Sequence, residues 1–440
     1  MEPQTIGRQF ASAGLCVLLA SFAWPQQMTS FDRGRAQVIL QVIASDVRKH
    51  YYDPKLHGLD WDAKVDEAKK RIDSTQSFNM AMSHIAALLD TLDDSHTFFL
   101  PPQHAYQHDY GWQYQMIGGH CYIIRVRPKS DAEAKGLKAG DEILAINGYS
   151  PNRDNLWKMH YVFTILRPQA ALRLNIKTPA GGERQLDVLA KIREHKKITD
   201  LTGGNAGNDI WDLVREEEAE EHRLKAHAVE MGDELMILRL PLFGSSDVDR
   251  MIDKARKHKA LIVDLRGNPG GSVETLKSLV SGVFEKEVKV CDRVGRKENK
   301  PMVAKPRHNP FTGKLVVLVD SRSASASEVF ARVVQLEKRG VVVGDPSSGS
   351  VMESQHYDEK MGTDTVVFYG ASNTDADLIM TDGKSLEHSG VVPHERAVPA
   401  AGDLASGRDP VLAHAAETLG VKLSAEDAGK MFPYEWPPEN

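Results

Sequence analysis

The carboxyl-terminal half of the chain alternates in a way that few folds accommodate. From "LMILRLPLF" onward, apolar strand-like runs are separated by helical patterns. "ALIVDLR" enters "GNPGG", "SVETLKSLVSGVF" reads as a helix, and "VKVCDRV" and "KLVVLVD" read as strands. A second helix then runs through Gln335 and "GVVVGD" follows. This order predicts a parallel α/β layer, with its chemistry gathered where strands end at their carboxyl edge.

The earlier chain has other periods. From about Met28 to Pro102, "RAQVILQVIASDV" and "MAMSHIAALLDTL" repeat apolar residues at three and four, which predicts helices. From about His108 to Ile192, short strands and glycine turns take over. At 440 residues the chain exceeds one compact domain. The expected division is a helical unit over 28–107, a strand-rich unit over 108–195, a linker over 196–233 and the α/β core over 234–425. The linker carries "TGGNAGND" and the acidic run Glu216 to Glu221, which reads as a solvated face.

A net charge of -6 gives no reason to expect nucleic acid or anionic lipid as a partner. At the amino terminus Arg8 precedes the uncharged run Phe10 to Trp24, shorter than the roughly 20 residues of a bilayer span. Ser21 and Ala23 suit a signal peptidase, so residues 1–23 read as an export signal, with a buried helix or a mis-called start codon as the other readings. Export predicts a periplasmic or extracellular protein with no stable membrane span after cleavage. Of the remaining cysteines, Cys121 and Cys291 lie in separate strand-like segments and read as free, packed thiols.

The segment "KLVVLVDSRSASASEVF" places Ser323, Ser325 and Ser327 where a strand turns into a helix. Such a corner exposes a side chain and aims unpaired helix N–H groups at the same place, which suits acyl transfer. Ser325 and Glu328 also have the spacing of a helix capping box, which needs no catalysis. "DLRGNPGG", Asp264 to Gly271, supplies paired glycines through which bare backbone N–H groups can approach a bound group. A phosphate cradle is disfavoured, since neither G-K-[ST] nor G-x-G-x-x-G is present. No His/Cys cluster has metal-ligand spacing, so no metal and no cofactor are expected.

Two resemblances sharpen this reading. "GLKAGDEILAINGY" resembles a bacterial PDZ domain, a module that takes a peptide C-terminus as an added strand. Tyr110, Gly111 and Trp112 lie where that family has its aromatic-Gly-aromatic carboxylate loop. "DLRGNPGG", with Ser325 following 54 positions after Gly271, resembles the C-terminal processing, or tail-specific, serine peptidases. That resemblance implies an α/β spiral (crotonase/ClpP-like) core with an inserted PDZ domain and an N-terminal helical segment. It also implies Ser325 as nucleophile, an oxyanion hole from the Gly271 and Ala326 N–H groups, and polypeptide substrates with a free C-terminus.

The pattern breaks at the base. The well-known members carry a lysine 25 positions beyond the serine, and here Ser350 stands in "GDPSSGSVM". Histidine can serve instead at neutral pH. His96 in "LDDSHTFF" resembles the Ser-His pair of the tricorn-type branch, whose glutamate in E-x-x-G-V-x-P maps to Glu387 of "LEHSGVVPHE". The implied tetrad is Ser325, His96, Ser95 and Glu387, with His388 and Asp94 as rivals for neighbouring roles. His394 and Glu395 follow Pro393 where an aspartate is common. The alternatives to an active serine endopeptidase are a retinoid- or lipid-binding protein on the same scaffold and a PDZ adaptor with a vestigial core.

Overall fold

The structure, a computed structural model, describes residues 28–194, 223–244, 247–362 and 366–437. The expected export signal and the acidic run Glu216 to Glu221 lie outside these residues. No helix among the described residues is long and apolar enough to cross a membrane.

Three helices open the described chain: Ser30–His50, Trp61–Ser74 and Phe78–Asp90. Side-chain caps start the first two, Thr29 accepting from the Asp32 N–H and Asp60 from the Ala63 N–H. Ile39, Leu40, Ile43 and Val47 recur at three and four along the first helix and are fully buried against Ile72, Ile85 and Leu89. This cluster continues into Phe99, Tyr369 and Ala371, so the helical unit shares its core with a sheet of the carboxyl-terminal half. The strand Phe98–Leu100 pairs antiparallel with Val367–Ile379, Phe98 opposite Ser372, which fixes the preceding Ser95-His96 turn to that sheet.

A five-stranded antiparallel sheet follows, with Trp112–Ile117 at one edge and Glu183–Leu189 at the other. Pairing of Tyr106–Asp109 with Lys191–Glu194 draws the entry and exit of this module together. Cys121 is buried in its core and Cys291 in the core of the α/β unit, and both are free thiols.

The α/β unit is built on six strands in the order Glu395–Arg396, Val341–Gly344, Lys314–Val319, Ala260–Asp264, Leu235–Arg239, His227–Met231. All neighbours are parallel except the last pair. Leu315, Val317 and Val319 face one apolar layer, with the helices Val273–Val283 and Ala326–Leu336. Val316 and Leu318 face the other, against Val411, Leu412 and Ala415. Burial on both faces is why this strand reads as an unbroken apolar run. The expected α/β core, inserted strand module and N-terminal helices are all present.

Candidate active site

The three hydroxyls at the end of the Lys314–Val319 strand have different fates. Ser323, fully buried, donates to the Leu265 carbonyl at 2.8 Å and accepts from the Asp320 N–H at 2.9 Å. Ser327, also fully buried, donates to the Asn268 carbonyl at 3.1 Å. Both stitch the corner to the "DLRGNPGG" loop. Ser325 between them is half-buried and holds φ 54° and ψ -119°, a conformation that non-glycine residues rarely adopt. Its hydroxyl does not cap the Ala326–Leu336 helix, although the Glu328 carboxylate accepts the Ser325 N–H at 3.1 Å. The capping explanation of the sequence is therefore only half present.

The glycine loop presses on this serine. A Cβ on Gly270 would stand 2.6 Å from the Ser325 Cβ, and one on Gly271 2.4 Å from the Phe243 carbonyl oxygen. The Gly270 N–H is taken by the Asn268 side chain at 2.8 Å. Among the described residues, neither the Gly271 nor the Ala326 N–H donates to another protein group.

The Asp94-Ser95-His96 turn approaches from the helical unit. Asp94 accepts from the His96 and Thr97 N–H groups and the Thr374 hydroxyl, so its bonded oxygen holds the turn and not the imidazole. Ser95 Oγ lies 2.8 Å from His96 Nδ1 and donates to Glu387 Oε2 at 3.0 Å, while the Ser95 N–H donates to Glu387 Oε1 at 2.7 Å. With the only Ser95 hydroxyl proton on Glu387, Oγ accepts from Nδ1–H, which leaves Nε2 as the accepting nitrogen. Burial lowers the His96 pKa against an opposing pull from Asp94, which favours the neutral imidazole. Burial raises the Glu387 pKa, and its hydrogen bonds from Val351 and Ser95 resist that shift.

Two adjacent residues join the histidine side to the serine side. Val351 donates its N–H to Glu387 Oε2 at 2.7 Å, and the Ser350 carbonyl accepts the Ser325 N–H at 2.8 Å. Ser350, where the sequence resemblance leads a lysine to be expected, pairs its hydroxyl with Ser348 at 2.9 Å. His388 is turned away, its Nε2 2.9 Å from the Asp93 carbonyl. His394 and Glu395 are occupied at the sheet edge, by the Val342 N–H and by His414.

Sequence reasoning missed what Glu328 does. Fully buried, it accepts from the Ser347 hydroxyl at 2.6 Å and from the N–H groups of Gly349, Ser350 and Ser325. It thereby pins the 347–350 segment beneath the serine corner, and burial pushes its pKa up to about 7. The S-x-x-E spacing pointed to this residue, but only as a cap. Asp320 was missed as well. It accepts the Gly267 N–H at 2.9 Å and, with its other oxygen, the Gln115 side chain of the strand module at 2.7 Å.

In the strand module, Tyr110 is buried and donates to the Gln169 carbonyl at 2.7 Å, and Trp112 is buried on Tyr114. Gly111 has φ 72°, and a Cβ there would lie 2.5 Å from that of Ser130. Its N–H is occupied by Asp109 at 2.8 Å, so this donor is not open to an incoming carboxylate. The outer edge of Trp112–Ile117 has no partner strand among the described residues.

A strained serine beside free N–H groups, on an α/β core bearing a strand-addition module, is the organisation of a serine-type peptidase. Residues 234–397 match the model of peptidase family S41, and residues 106–177 match that of the PDZ domain. The α/β core is thus similar to peptidase family S41 and the strand module to PDZ domains.

The chain is similar to the carboxy-terminal processing protease CtpA of Bacillus subtilis, 21% identical over 87% of this chain and 76% of that protein. It is 25% identical to the tail-specific protease of Haemophilus influenzae over 66% of this chain and 41% of that one. With putative tricorn protease homolog 2 of Streptomyces coelicolor it shares 24% identity over 86% of its own length and 31% of the relative's. The chain thus spans under half the length of the latter two. Among solved structures, mature CPAF aligns with a TM-score of 0.63 at 15% identity, covering 85% of this chain and 94% of that one. This likeness concerns the fold.

Proposed function

We propose that this serine-type peptidase is an endopeptidase of the C-terminal processing class, acting on unfolded or C-terminally exposed polypeptides with His96 as general base. Ser325 Oγ attacks the scissile carbonyl while His96 Nε2 takes its proton. The Gly271 and Ala326 N–H groups hold the oxygen that becomes negative. His96 returns the proton to the leaving amine, and water then hydrolyses the acyl-enzyme with the same base. Ser95 and Glu387 are positioning residues that fix the imidazole tautomer.

The observation that carries this reading is the continuous chain His96–Ser95–Glu387–Val351, ending one residue from the carbonyl that holds Ser325. The PDZ domain captures an extended substrate along the edge strand Trp112–Ile117, which has no partner strand among the described residues, although the Ser321 hydroxyl donates to the Met116 carbonyl. We place the enzyme outside the cytoplasm on account of the Phe10 to Trp24 run, which lies outside the described residues.

Labelling with a serine-directed fluorophosphonate, run beside digestion of an unfolded polypeptide, tests the reading. Wild type is expected to label and to cleave, and Ser325→Ala to do neither. A wild type that does neither is an inactive binding scaffold.

A further inference from the structure

Between the PDZ sheet and the α/β core lies a cleft of about 1100 Å³, walled by Arg125 on one side and by Gly267, Arg239 and Arg322 on the other. It opens beside the "DLRGNPGG" loop, and Arg322 stands three positions before Ser325. Arg125, Arg239 and Arg322 make no ion pair with any carboxylate among the described residues. Arg125 donates to the Gln113 side-chain oxygen at 3.1 Å and stacks 4.3 Å from the centre of the Tyr434 ring. Arg239 lies 5.7 Å from the Phe432 ring centre. Aromatic faces accommodate these cations without neutralising them.

Of the acids lining the cleft, Asp320 is committed to the N–H groups of Gly267 and Arg322 and to the Gln115 amide, Asp345 to Arg153 and Asp409 to Arg266, and Glu435 lies on the carboxyl-terminal tail. Burial lowers the Arg125 pKa to about 10, and the like charges of Arg239 and Arg322 add to that effect against an opposing pull from Tyr434 and Asp320. The charge of Arg322 is also felt by Tyr114, on the PDZ edge strand, and by His160, at the end of the helix Leu156–His160. A chain with net charge -6 thus gathers three guanidinium groups that form no direct ion pair between its sheet edge and its nucleophile, although the field of Asp320 reaches Arg125 and that of Arg239 reaches the buried Asp264.

We propose that this cleft is a peptide-carboxylate site, in which Arg125, Arg239 and Arg322 hold a carboxylate of the polypeptide next to the Ser325 corner. This deepens the peptidase reading and rests on it. Guanidinium groups pair with carboxylates by charge-assisted, often bidentate hydrogen bonds. Two sources supply that chemistry: the α-carboxylate of a chain end, or an Asp or Glu side chain near it. In either case the substrates favoured are those with an anionic terminal segment, and Arg322 and Arg239 determine that specificity.

Binding is measured on Ser325→Ala, so that the peptide is not consumed, by fluorescence anisotropy with three labelled peptides. One is a neutral sequence ending in a free acid, the second its C-terminal amide, and the third the amide with one glutamate near the end. At least one anionic form is expected to bind about tenfold tighter than the neutral amide. That advantage should shrink as NaCl is raised and vanish in Arg239→Gln/Arg322→Gln, with binding of the neutral amide unchanged. The anionic form that gains identifies the source. Equal binding of all three peptides, or an advantage that survives the double substitution, overturns the proposal. Arg322 is exposed, so Arg322→Gln alone serves if the double variant fails to fold. Failure of the peptidase reading is seen separately, as absence of fluorophosphonate labelling in wild type.

Discussion

Ser95 and Glu387, 292 positions apart in the chain, are bonded twice, backbone N–H to one carboxylate oxygen and hydroxyl to the other. That double contact ties the helical unit to the loop beyond the Val367–Ile379 strand, and it turns the Ser95 Oγ lone pair toward His96 Nδ1. The imidazole orientation is therefore assembled from two distant segments.

Removing this support should lower turnover more than binding. Ser95→Ala and Glu387→Gln are each expected to reduce kcat by about 10²-fold, the scale of a misplaced general base, with KM little changed. Steady-state kinetics on a fluorogenic peptide check this. A KM effect with normal kcat would mean that the pair only shapes a substrate surface.

Ser350 stands where the sequence resemblance leads a lysine base to be expected. Its backbone holds Ser325 and Glu328, but its hydroxyl meets only Ser348. Ser350→Ala should keep activity within about twofold of wild type, since the backbone contacts persist. A collapse as deep as that of Ser325→Ala would place the base in the wrong branch.

Gly270 should tolerate no side chain. Gly270→Ala puts a Cβ 2.6 Å from that of Ser325 and 3.0 Å from the Ala326 nitrogen, at φ 100°. The corner must shift, and labelling of Ser325 should fall by at least about 10²-fold, the scale of a lost oxyanion contact. Thermal unfolding would show whether the fold survives; full labelling would contradict the placement of the loop.

Glu328 makes stability depend on pH. Its folded pKa, about 7, lies above the ordinary value of 4.5, so the folded state binds more protons between these limits. Its contribution is fully present below pH 4.5 and is lost as pH rises through 7. Glu328→Gln should flatten that part of the Tm profile, and by turning an amide toward N–H donors it should lower Tm at all pH values. An unchanged profile would show that Glu328 does not titrate in this window.

Much of the candidate site was legible because its proposed parts are local motifs. "SASASE", "DLRGNPGG" and the Ser95-His96 pair each carry their chemistry within a few residues, and strand-helix alternation supplies the frame. What was hidden depends on segments that meet only in three dimensions. Glu328 reads as a cap because its other donors, Ser347 to Ser350, lie 19 to 22 positions away. Gly270 and Gly271 look equivalent in sequence, yet packing makes Gly270 the one against Ser325. Gly111 was placed as a carboxylate cradle, and no local signal shows that Asp109 already uses its N–H.

The most direct measurement is the pH dependence of the rate at which a fluorophosphonate labels Ser325, in wild type and in His96→Ala. On the proposed mechanism the neutral imidazole of His96 is the base, and burial lowers its pKa. The wild-type rate should therefore rise with pH to a plateau, with a midpoint below the ordinary histidine value of 6.5. His96→Ala should be at least about 10²-fold slower and should lose that midpoint. Labelling that is unaffected in His96→Ala, or a wild-type midpoint in the range of a lysine, would contradict the assignment of His96 as the base.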